Sequence, residues 1–163
     1  MQAVRIGIPV LQLSSSWTDY EQNFISLLHQ AKRDFSVEEV VFGDIDLQPH
    51  RDWEELVCEK AGLKASLPLW KEDRRELVVE MLRAGIETTI VSCNTTMGPE
   101  YIGRQLSLAL VDELESKGID PCGENGEFHT VVTNCPLFSH RIELPTIHPV
   151  QHDGYWFSSF APF

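Results

Sequence analysis

With 163 residues, 42% of them hydrophobic, the chain holds about one domain's worth of core-forming material. Its formal net charge of −12 sets most of its surface against a phosphate backbone, so it is not a general nucleic-acid binder; the densest basic cluster, Lys71, Arg74 and Arg75, is small. No stretch approaches the roughly 20 apolar residues of a membrane helix. The start, MQAVRIGIPV, carries a single Arg5 and no cleavage site of small residues, so no signal peptide is expected. Cys58, Cys93, Cys122 and Cys135 form no CxxC pair and have no histidine at finger-like spacing. Reduced thiols in a cytoplasm, with no metal site, are the expectation.

In chain order, RIGIPVLQL reads as a short strand ending in the loop Ser14-Ser15-Ser16. Thr18 and Glu21 have the spacing of a capping box. Behind them Tyr20, Phe24, Leu27, Leu28, Ala31 and Phe35 fall on one helical face. Val40-Val41-Phe42 reads as a buried strand running into Gly43-Asp44. Trp53, Leu56, Val57 and Ala61 predict a second helix stopped by Gly62. LKASLPLW is extended, with Pro68 keeping it from a helix. Leu77, Val78, Met81 and Leu82 predict a third helix stopped by Gly85, and IETTIVSC a third strand. Gly98-Pro99-Glu100 is a helix start, and Ile102, Leu106, Ala109, Leu110 and Leu114 extend that helix to Gly118.

Strand alternating with helix at these lengths argues for an α/β body, a parallel sheet with crossover helices, over residues 1–118. After Gly118 the pattern changes. EFHTVVTNCPLF, HRIELPTIHPV and YWFSSF are strand-like with no helix between them, and Asp153-Gly154 is a hairpin turn signal. Residues 119–163 are therefore expected to form an antiparallel β appendage.

Ligands of open α/β sheets bind beyond the carboxyl ends of the parallel strands. Two polar sites fall there: Gly43-Asp44, and Ser92-Cys93-Asn94-Thr95. Asp44 could meet a ribose hydroxyl or a cation, or simply cap its loop. The densest polar stretch is CGENGEFHT, Cys122 to Thr130, which runs straight into an apolar strand. Gly123 and Gly126 permit tight turns and close approach. Glu127 and His129 alternate onto one strand face, and Glu124 lies across the Asn125-Gly126 turn. Carboxylates beside an imidazole shuttle protons or hold ammonium; a solvated turn with surface acids is the plainer reading. His50 is placed to cap a helix, and Trp70 to plug a core.

VVFGDI, His50, PLW, the Gly85 stop before a β run, Ile102-Gly103-Arg104, and above all CGENGEFHT with its trailing PLF resemble the diphthine–ammonia ligase-like family of adenine nucleotide alpha hydrolases (N-type ATP pyrophosphatases). The likeness runs from about Met1 to Leu144. It implies a HUP-like fold and an ATP-dependent carbon–nitrogen ligase: a carboxylate is adenylated, using ATP with Mg, and ammonia displaces AMP to leave an amide. It also implies roles. Gly43 and Asp44 belong to the nucleotide side. Glu124, Glu127 and His129 are the catalytic candidates, and Asn125, Gly126 and Thr130 the substrate-binding ones, where a carboxylate acceptor and ammonia meet.

One departure is large. The family opens on a strand and a phosphate-binding loop of the form SGGKDS, and Ser14-Ser15-Ser16 has neither its glycines nor its lysine. Gln2-Ala3 followed by Gly7-Ile8-Pro9 corresponds to the end of a family helix and the strand after it. The expectation is an N-terminally truncated HUP-like chain that does not turn over ATP alone. It would be a fragment, half of a split enzyme completed by a partner chain, or a non-catalytic ligand-binding or dimerisation module. An open sheet edge favours a homo-oligomer or a partner.

Overall fold

In the computed structural model of the chain, residues 1–160 are described. The elements are α1 (Gln2–Ile6), α2 (Tyr20–Phe35), β1 (Glu39–Val41), α3 (Gln48–Ala61), β2 (Lys64–Ser66), α4 (Arg74–Arg83), β3 (Glu87–Asn94), α5 (Leu108–Ser116), β4 (Phe128–Asn134), β5 (Ile147–His152) and β6 (Tyr155–Phe160). They form an α/β chain with a small parallel sheet and a separate four-stranded antiparallel one. Two compact units result, one from Pro9–Glu72 and one from Met1–Ile8 with residues from Asp73 onward. Among the described residues no helix is long and apolar enough to cross a membrane.

The Pro9–Glu72 unit is a β-α-β crossover with a helix packed on it. β1 and β2 pair in parallel, Val40 opposite Ala65, and α3 connects them. Ile25 and Leu28 of α2 bury against Val57, Cys58 and Ala61 of α3, with Phe24, Val40, Phe42 and Trp53 around them. Gly62 ends α3 in the left-handed conformation, as its position predicts. Two expectations need correcting. The capping box does not form: α2 starts one residue later, on Asp19, whose carboxylate turns back to accept from Ser16 N–H at 2.7 Å, Ser16 Oγ at 2.6 Å and Ser15 Oγ at 3.1 Å. Glu21 instead pairs with Lys60. And β1 is not a buried strand, because in a two-stranded ribbon one side stays wet and Val41 remains 66% exposed.

The second unit centres on β3, in the strand order β4-β3-β6-β5. Cys93 lies opposite Phe128 on one side and Trp156 on the other. Ile90, Cys93 and Phe128 bury with Val78 of α4 and Leu110, Val111 and Leu114 of α5. The predicted Asp-Gly turn is present: Asp153 and Gly154 both take positive φ and close the β5–β6 hairpin. So β3, expected among the parallel strands, is the centre of the antiparallel sheet.

Two further stretches depart from their sequence patterns. The helix expected to run from Pro99 is broken: Pro99–Tyr101 makes a single 3₁₀ turn, and Gly103 takes φ 85°. The chain then runs along β3, with Leu106 N–H donating to Thr88 O and Ile90 N–H to Arg104 O. α5 begins afresh at Ser107, whose hydroxyl accepts from Leu110 N–H. The N-terminal run is also not a strand. Residues 2–6 coil into α1, closed by left-handed Gly7, and 7–16 lack regular structure.

Candidate functional site

The 120–130 segment is organised by two residues that lie outside the motif. Arg74, at the start of α4, donates to Asp120, whose side chain is 6% exposed. Asp120 also accepts from the N–H groups of Cys122 and Glu124, at 3.0 Å each. This carboxylate thus gathers the turn around itself, with a guanidinium as counter-charge. Arg74 reaches on to Asn125 Oδ1 at 3.3 Å. Asn125 Nδ2 donates to Glu127 Oε1 at 3.2 Å, and Asp120 N–H to the same oxygen at 3.4 Å. Glu127 Oε2 is buried and finds no hydrogen-bond partner.

Gly123 is required by the backbone. Its φ is 72°, and a Cβ there would lie 2.7 Å from the Phe128 carbonyl oxygen. Gly126 offers its carbonyl to Tyr155 Oη at 3.1 Å. Cys122 is half-buried and donates to Arg74 O at 3.0 Å. Burial, then the neighbouring Asp120 and Glu124 charges, push its thiol up to about 12, so it is no nucleophile.

Phe128 turns into the core, and Glu127 stands just before β4, half-buried. His129 is exposed, opposite Ser92 on β3, and Thr130 is exposed beside it. The other polar site of the sequence, Ser92 to Thr95, is mostly internal: Ser92 and Cys93 are buried, and Asn94 Oδ1 caps the next turn at Met97 N–H.

In the other unit, Asp44 follows β1 and faces α3. Its Oδ1 lies 2.7 Å from His50 Nδ1. Beside them is Glu54, 4% exposed, whose Oε2 is buried without a partner. Burial, then a hydrogen bond to Asp44 and its charge, push the Glu54 carboxyl up to about 8. Near neutral pH it therefore carries a proton and donates to Asp44. These three side chains line a cavity of about 600 Å³ with Trp17, Tyr20 and Trp53. Glu54 was not singled out from the sequence. Its signal was there: it sits between Trp53 and Val57 on the apolar stripe of α3, where a charged residue has no ordinary business. His50 thus pairs with Asp44 instead of capping α3. Trp70 is half-buried, not a core plug; Arg51 and Lys71 lie over its ring at 5.1 and 4.9 Å.

Among the described residues no group of three or more His, Cys, Asp or Glu is arranged to hold a metal ion. The start of α2 does not fit a triphosphate. The Ser15 and Ser16 donors there are spent on Asp19, and Glu21 adds a second negative charge to that turn.

The diphthamide synthase C-terminal domain model matches residues 73–160, more than half of the chain, and the diphthamide synthase N-terminal domain model matches residues 1–65. The chain belongs to the diphthamide synthase family. A diphthine–ammonia ligase of Danio rerio is 29% identical over 149 residues, covering 88% of this chain and 57% of that protein. Its Homo sapiens counterpart is 28% identical over 149 residues, with 88% and 55% covered. The Schizosaccharomyces pombe enzyme is 32% identical over 107 residues, 61% of this chain and 17% of its own length. The chain spans about half the length of the Danio and human relatives it matches. The family boundary at 65–73 falls at the end of the Pro9–Glu72 unit.

Proposed function

We propose that this chain is diphthine–ammonia ligase-like and supplies the acceptor and ammonia side of an ATP-dependent, amide-forming site. One observation carries the reading: the buried, unpartnered Oε2 of Glu127, on a carboxylate whose other oxygen is held by Asn125 and by the Asp120 backbone. A buried carboxylate oxygen without a donor costs about 1–3 kcal/mol, and more when charged. An ammonium ion, or ammonia as it arrives, supplies the missing N–H.

In this reading Glu127 holds the nitrogen and takes a proton from it. His129, two residues on and exposed, passes that proton to solvent. Glu124 completes the negative surround. Asn125, Gly126 and Thr130 contact the carboxylate acceptor. Gly43, with open space where a Cβ would stand, and Asp44 are assigned to the nucleotide side. ATP with Mg, where bound, would activate the acceptor carboxylate toward attack by nitrogen. No such step is assigned to the start of α2, whose donors are taken. The phosphate-binding groups come from elsewhere, such as a partner chain.

The test has two arms. The chain alone, given ATP, Mg and ammonium, is expected to release no AMP; robust AMP release abolished by Asp44→Ala would sink the incomplete-site reading. With an SGGKDS-bearing segment of a relative joined to the N-terminus, ATP-dependent amide formation is expected, and Glu127→Gln should remove it. Activity that survives both Glu127→Gln and His129→Ala makes the 120–130 loop structural.

A further inference from the structure

The cavity around Asp44, His50 and Glu54 has a chemistry of its own. Its walls include the rings of Trp17, Tyr20 and Trp53. Tyr20 stacks on Trp53 with centroids 5.7 Å apart, and Trp17, 94% exposed, stands beside Tyr20 at 6.0 Å. Apolar walls and a volume of about 600 Å³ suit a ligand with an aromatic-sized body. The polar groups restrict what else it carries. The Asp44 carboxylate repels an anion, and among the described residues the His–Asp–Glu set is not arranged for a metal ion. Ring faces and a carboxylate both attract a cation.

Glu54 narrows the class further. The residue lines the cavity at 4% exposure, and its Oε2, an acceptor, is buried and lacks a donor. A quaternary ammonium brings charge but no N–H, so it leaves this oxygen unsatisfied. A primary ammonium brings both.

We infer that this cavity binds a primary ammonium cation on an apolar body, its N–H groups shared between Asp44 and Glu54 and its body against Tyr20 and Trp53. The inference does not rest on the role proposed for the 120–130 loop; it gives Asp44 to a cation and not to the nucleotide side, and competition by ATP decides between the two.

The experiment is a calorimetric titration of the full chain near neutral pH with phenethylamine, with phenylethanol as the neutral analogue and phenethyltrimethylammonium as the analogue without N–H. Saturable binding of the amine is expected, with both analogues about tenfold weaker or worse, the size of one charge-assisted hydrogen bond. Asp44→Asn is expected to weaken the amine about tenfold. Glu54→Leu, which removes the acceptor, should weaken it several-fold with unchanged circular dichroism. Absence of saturable amine binding, equal affinity for either analogue, or wild-type affinity in both variants overturns the inference. So does displacement of the amine by ATP, which would give the cavity to the nucleotide.

Discussion

Replacing Glu54 by glutamine isolates a single proton. In the folded chain the Glu54 carboxyl is pushed from 4.5 up to about 8, first by burial and then by Asp44. A carboxyl that holds its proton more tightly when folded makes stability fall as pH rises. Its contribution is whole below about 4.5 and is gone above about 8. Each unit of difference is worth about 1.4 kcal/mol, so the full window amounts to about 5 kcal/mol. The comparison of the two proteins cancels the shared background: Lys60 holds Glu21 low, Lys64 holds Glu39 low and Ser16 holds Asp19 low in both. Cys58 is raised by burial and titrates later. Glutamine keeps the shape and a hydrogen-bond donor toward Asp44 but has no proton to lose. Urea unfolding of both proteins across pH 5 to 8, followed by tryptophan fluorescence, should show wild type losing up to about 1.4 kcal/mol per pH unit relative to the variant. The curves should lie close together at the acid end, with the variant ahead by a few kcal/mol at the alkaline end. Parallel curves would refute the protonated Glu54.

Arg74→Met leaves the nearly buried Asp120 carboxylate without its counter-charge; thermal unfolding is expected to show a loss of about 3–5 kcal/mol, and a loss under about 1 would make the pair incidental. Gly123→Ala should cost about 1–3 kcal/mol in urea unfolding, because φ is 72° and the Phe128 carbonyl blocks the Cβ. Gly43→Ala meets nothing within 4 Å and should be nearly silent, so equal losses at the two positions would contradict the local geometry. Cys122, with its thiol pushed up to about 12, should resist iodoacetamide near neutral pH in the folded chain and react once urea is added, read by peptide mass.

What the sequence made legible was local. Gly62 and Gly85 mark the helix ends they were expected to mark, and Asp153-Gly154 makes its hairpin, because each signal acts over a few residues of backbone. Gly103 lies inside an apolar period that fits a helix. The tertiary pull of β3, which takes Leu106 N–H and supplies N–H to Arg104 O, decides that stretch instead. The strand-like residues 5–13 have β-prone side chains but no pairing partner, and a lone strand has nothing to hold its backbone. At the loop, the Cys122–Thr130 motif was visible while its organisers were not. Asp120 stands two residues upstream and looks like ordinary surface acid, and Arg74 is 46 residues away. Glu54 was hidden differently. A hydrophobic-stripe reading collects apolar positions, and the one acidic side chain in the stripe of α3 is what such a reading discards.

The first eight residues belong with the chain's far end. Gln2 Nε2 donates to Val132 O across 130 positions, Arg5 meets His140 across 135, and Ser139 N–H donates to Arg5 O at 2.9 Å. The Pro9–Glu72 unit sits within this loop of sequence as an insert, complete once residue 72 has emerged during synthesis. α1 is made before that unit and satisfied after it, once β4 and the turn that follows supply Val132 O and Ser139 N–H; its Val4 is 76% exposed even in the finished fold.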